Sequence, residues 1–78
     1  MMEKLIGILT ELRPDVDFEN NDQLVDSGEL DSFDIVMLIG EINNVFDIKI
    51  PIVSIIPENF NSVNSIMKLI ENLKGQAN

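Results

Sequence analysis

The chain has 78 residues, a formal net charge of -9 and 45% hydrophobic residues, and it lacks cysteine, histidine, tyrosine and tryptophan. That length gives one small domain near the lower limit for a single hydrophobic core, and the apolar content sets it apart from a disordered acidic tail. With no thiol or imidazole, disulfides, thiolate zinc sites and the commonest general bases near neutral pH are excluded, so an enzyme is not expected. The charge repels nucleic-acid phosphates and anionic lipid heads and favours a basic protein partner. No apolar run is long enough to span a bilayer, and no signal peptide is visible. A cytoplasmic protein without nucleic-acid binding or membrane insertion is the expectation, and nothing in the sequence asks for a dimer.

Leu5, Ile8, Leu9 and Leu12 recur at helical spacing and predict a first helix over residues 2–13, stopped by Pro14. Gly7 in its middle suggests a close approach by another element. An acidic connection over residues 14–31 follows, with Val16, Phe18, Leu24, Val25 and Leu30 as its apolar pins and a single helical turn at 22–25. Asp15, Asp17 and Glu19 alternate like the opening ligands of a calcium loop, but Asn20 and Asp26 stand where such a loop needs glycine and glutamate. A solvated acidic loop is the better reading, and no metal site is assigned.

The second helix is predicted over residues 32–46, with Ile35, Leu38, Ile39, Ile42, Val45 and Phe46 as its core stripe. Asp31 is a suitable N-cap, and Asp34 three residues on completes a capping box with aspartate in place of glutamate. Phe33, Val36 and Met37 lie off the stripe; Val36 is expected to be partly buried, and Phe33 and Met37 free for a partner. Gly40 opens a gap one turn further on. The run from Ile48 to Ile56 is β-branched, but no second strand exists to pair with it. It reads as an extended connection and a short helix at about 53–56 ended by Pro57, with Phe60 plugging the core. A last helix over about 63–74 has Ser62 as N-cap, Val63, Ile66, Met67, Ile70 and Leu73 as its stripe and Gly75 as its stop, leaving 76–78 frayed. The fold class is therefore all-α: a small bundle of three main helices and one short one.

Two Asp-Ser pairs are present, Asp26-Ser27 and Asp31-Ser32. Ser27 precedes Gly28 and reads as a turn residue. Ser32 sits where a loop becomes a helix, where free N–H groups and the helix dipole favour an attached anion. From spacing alone, a plain capping serine is the better explanation of Ser32, because an Asp-Ser pair before a helix is common.

The segment LVDSGELDSFDIVMLIGEINNVF, residues 24–46, resembles the acyl carrier protein family, and the continuation through Ile48-Lys49-Ile50-Pro51 and Ser62-Val63 to Ile66 keeps that family's layout. The resemblance implies that Ser32 is esterified with 4′-phosphopantetheine by a phosphopantetheinyl transferase drawing on coenzyme A. The arm's thiol then holds an acyl or aminoacyl group as a thioester, which suits a chain without cysteine. It implies that Asp31 helps position the transferase and its metal ion. Phe33, Val36 and Met37 become the docking face for a loading ligase and downstream acyl-transfer enzymes, with Asp34 and Glu41 offering charge to basic residues. The common fatty-acid carriers have several glutamates along this helix; here Met37, Gly40, Asn43 and Asn44 face outward and Glu41 is the main acid kept. Leu30-Asp31-Ser32 with Phe46, Pro51 and Phe60 is closer to stand-alone D-alanyl and related aminoacyl or peptidyl carriers. A helical interaction module of the same fold with Ser32 unmodified is the alternative.

Overall fold

A computed structural model of the chain describes residues 2–76. α1 spans Met2–Leu12 and buries Leu5 and Leu9 completely, with Ile6, Ile8 and Leu12 packed beside them. It ends one residue before the predicted limit: Arg13 N–H still donates to the Leu9 carbonyl at 2.9 Å, but Pro14 forces Arg13 out of helical geometry. The close approach expected at Gly7 does not occur. Nothing lies within 4 Å of where its Cβ would stand, and the structure offers no reason for glycine there.

The acidic connection is pinned as expected, with Phe18, Leu24 and Leu30 buried and Val16 and Val25 packed against the core. Its helical turn sits one residue later than predicted, closed by Ser27 N–H to the Gln23 carbonyl at 2.7 Å. Gly28 follows with φ +85°, a left-handed conformation that glycine adopts at no steric cost. Leu30 N–H then returns to the Leu24 carbonyl at 2.9 Å and closes the turn. Asn61, near the far end of the sequence, holds this turn from outside. Its carbonyl accepts Leu24 N–H at 2.9 Å, its Oδ1 accepts Val25 and Asp26 N–H at 3.0 Å each, and its Nδ2 donates to Asp26 at 3.1 Å.

α2 spans Ser32–Phe46, within the predicted bounds, and buries positions 34, 38, 42 and 46, one stripe at a spacing of four. Val45, assigned to that stripe by periodicity, is 40% exposed, because the core covers a narrower arc than the apolar residues occupy. The helix ends at Asp47, whose left-handed backbone (φ 55°) lets its N–H bond the Asn43 carbonyl. Lys74 Nζ donates to the Phe46 carbonyl at 2.9 Å, tying the end of α4 to the end of α2.

The connection beyond α2 differs most from expectation. Ile50 is buried, and its N–H bonds Asn43 Oδ1 at 3.0 Å. A 3₁₀ turn then runs Ile52–Ser54, and a separate helix, α3, spans Pro57–Phe60. Pro57 begins a helix instead of ending one: its fixed φ suits the first helical position, and it holds Ile56 extended (φ -127°, ψ 151°). Phe60 is fully buried, as a core plug should be. α4 spans Val63–Gln76, starting at Ser62, whose Oγ accepts Ser65 N–H at 3.0 Å. It buries Leu69 beside the predicted Val63, Ile66, Met67 and Ile70. Gly75 does not stop it; the helix includes Gln76, and the remaining fraying expected at 77–78 lies outside the described residues. α1 packs on α2 and α4, α3 packs on α4, and no strand is present among the described residues. The body measures 35 × 24 × 20 Å.

Candidate functional site at the start of α2

Every feature around Ser32 follows from how the chain enters α2. Asp31 is the N-cap in extended geometry (φ -94°, ψ -178°). Its Oδ1 accepts Asp34 N–H at 2.9 Å, and Asp34 Oδ2 accepts Asp31 N–H at 3.3 Å, so the aspartate capping box forms. Ser32 is the first helical residue, exposed, and its hydroxyl has no hydrogen bond among the described residues. It stands where the first N–H groups of a helix have no carbonyl partner within it. Ser27, the competing serine, lies inside the turn that Asn61 holds.

Two sequence expectations change. Val36 is 67% exposed and joins Phe33 (71%) and Met37 (46%) on an open apolar face. Asp34, expected to offer its charge outward, is buried, and its carboxylate meets Arg13 Nη1 at 3.0 Å. A carboxylate entering a helix start is stabilised by the dipole and here also by a guanidinium, so it turns inward. Glu41 remains exposed. Beside it lies a groove of about 390 Å³ between α1 and α2, where Ile8, Leu12, Val36 and Met37 form apolar walls and Gly40 leaves open space.

Sequence reasoning missed Arg13. It is the chain's sole arginine, and the acids at 15 and 34 were the only hint of its use. Nε and Nη2 each reach an Asp15 oxygen at 3.2 Å, while Nη1 reaches the Glu29 carbonyl at 2.9 Å as well as Asp34. Hydrogen bonding to Asp15, then to Asp34, raises the guanidinium's already high pKa, and the same bond from Arg13 lowers that of Asp15. In the acidic loop, Asp15 is thus engaged and Asp17 accepts from Asn20 at 3.0 Å. Among the described residues no group of acidic side chains is arranged to hold a metal ion, and no helix is long and apolar enough to cross a membrane.

Residues 3–70 match the family described as "Phosphopantetheine attachment site". The chain belongs to this phosphopantetheine carrier family. It is similar to a D-alanyl carrier protein of Streptococcus uberis, with 38% identity over 73 residues covering 92% of each chain. It is also similar to a D-alanyl carrier protein of Streptococcus equi subspecies zooepidemicus, with 42% identity over 60 residues covering 77% of this chain and 76% of the relative. No solved structure is a significant match. The protein is a carrier and not an enzyme, and its prosthetic group is covalent 4′-phosphopantetheine. The start of α2 fits such a group: an open hydroxyl with no bond to break, at a helix end suited to a phosphodiester.

Proposed function

We propose that Ser32 is the attachment residue and that the chain carries an aminoacyl group, D-alanine first among candidates, between partner enzymes. The observation that carries this reading is the exposed, unbonded Ser32 hydroxyl at the first position of α2, directly after the Asp31 cap. The bound group supplies a terminal thiol on which the cargo is held as a thioester. The chain's own residues do the presenting. Asp31 commits one oxygen to its capping bond and stays exposed, so it can still meet a phosphopantetheinyl transferase and that enzyme's metal ion.

Phe33, Val36 and Met37 form the apolar part of the docking face, and Glu41 its charged edge. With a net charge of -9, encounter with basic surfaces on a loading ligase and on downstream acyl-transfer enzymes is accelerated in a salt-dependent way. Asp34 drops out of that face, because its carboxylate is spent on Arg13 and the capping box. The D-alanine assignment is supported by the similarity to the two Streptococcus D-alanyl carrier proteins, and by the sparsity of acids on the outward side of α2.

The test is intact mass after incubation with coenzyme A and a broad-specificity phosphopantetheinyl transferase, run on the wild type, Ser32→Ala and Ser27→Ala. A gain of one phosphopantetheine is expected on the wild type and Ser27→Ala, and none on Ser32→Ala. Modification of Ser32→Ala would reject the site. Removing a hydroxyl that bonds nothing is expected to cost less than the ~1 kcal/mol typical of a lost cap, so Ser32→Ala should unfold thermally with the wild type. Incubating the modified chain with D-alanine, ATP and the ligase that loads the Streptococcus carriers tests the cargo, read as one added alanyl mass.

A further inference from the structure

The Ser32 hydroxyl makes no hydrogen bond among the described residues, so its side chain is not what fixes the start of α2. The neighbours of Ser32 converge on one side chain. Arg13 Nη1 donates to the Glu29 carbonyl at 2.9 Å, three residues before Ser32, and to Asp34 Oδ2 at 3.0 Å, two residues after it. Asp34 Oδ2 also receives Asp31 N–H at 3.3 Å, which extends the hold to the residue next to Ser32. Asp15 grips the other edge of the guanidinium through both its oxygens at 3.2 Å and fixes its plane. Pro14 lies between the two gripping residues and ends α1 there.

We infer that Arg13 is the positioning residue for Ser32: it locks the Glu29–Asp34 turn and so fixes where the Ser32 backbone stands before the modifying transferase. This rests on the Ser32 reading above. The planar fork explains why arginine serves here. Five N–H donors in one plane satisfy two carboxylates and a carbonyl at once, which a lysine ammonium on a flexible stem does not do. The cation also offsets the charge of Asp34, one of the two aspartates beside a hydroxyl that is to receive an anionic group.

The experiment compares wild type, Arg13→Gln and Arg13→Lys in two ways. Amide hydrogen exchange is read at Asp31 and Asp34, whose N–H groups the capping box bonds, and, as an internal reference, at Ile66 and Ile70 in the core of α4. Transferase kinetics with coenzyme A are read as kcat and KM for the carrier. Arg13→Gln is expected to speed exchange at Asp31 and Asp34 while leaving Ile66 and Ile70 protected. Its kcat/KM should fall by about tenfold to a hundredfold, mainly in kcat, since misplacement of a reacting atom and not weaker docking is the defect. Arg13→Lys is expected to restore part of both. Unchanged exchange at Asp31 and Asp34 with unchanged kinetics overturns the inference. So does a uniform loss of protection that includes Ile66 and Ile70, which assigns Arg13 a general structural role. If the wild type itself is not modified, the Ser32 reading fails, and the exchange data still decide whether Arg13 locks the turn.

Discussion

At the scale of single residues, the approach to α2 depends on a backbone angle as much as on side chains. Gly28 has φ +85° and open space around its α-carbon, so a methyl group there would meet no atom but would strain the backbone. Gly28→Ala is expected to destabilise the chain by about 1–2 kcal/mol, the usual cost of a left-handed conformation in a residue with a Cβ. Urea unfolding measures it. Gly7→Ala is the control, because the same added methyl in an exposed helix position should gain a few tenths to about 1 kcal/mol. Ser27 and Ser32, four positions after Gln23 and one after Asp31, show why local spacing does not tell two Asp-Ser pairs apart. The difference lies in a bond from Asn61 to the first turn and in a helix start under the second.

At the scale of elements, the four-residue spacing of Leu5 and Leu9 and of Leu38, Ile42 and Phe46, with the capping chemistry of Asp31 and Ser62, made the three long helices legible. These signals are local. The errors fell where a helix end or exposed face is decided by distant contacts. Pro57 starts α3 because Phe60 has a core site to fill, and Gly75 stays helical with Lys74 anchored on the Phe46 carbonyl. Val36 and Val45 are apolar without being covered, since only an arc of α2 meets α1 and the core. Arg13 and Asn61 were not legible because their partners lie up to 37 positions away. The join between α1 and the acidic connection is also pH-sensitive. In the folded chain the Arg13 hydrogen bond holds the Asp15 carboxyl below its ordinary value. A depressed carboxylate contributes its full stability above the unfolded value, about pH 4, and loses it as the pH falls through the lower folded value. The stability gap between wild type and Asp15→Asn is therefore expected to be constant from about pH 5 to 7 and to close below about pH 4. Thermal unfolding across that range reads it, and a gap that widens in acid would contradict the pairing.

At the scale of the whole molecule, the core is small and each buried side chain weighs heavily. A domain of this length has a stability of roughly 4–12 kcal/mol, at 0.05–0.15 kcal/mol per residue. Leu38 is fully buried in α2, so Leu38→Ala is expected to remove about 2–5 kcal/mol, enough to unfold the chain at ambient temperature where its stability lies at the lower end of the range just given. Circular dichroism with denaturant titration shows the outcome, and a loss below about 1 kcal/mol would mean the core collapses to fill the space. The body's modest size also governs how the carrier is used. Its surface is 5002 Å², and a standard interface covers about 800 Å² on each partner, roughly a sixth of it. With the arm on Ser32 as proposed above, each enzyme that modifies, loads or unloads it would work near the same end of α2, and on a body this small two such footprints would overlap. Partners sharing one footprint would take turns, so a long-lived complex with one would delay the next.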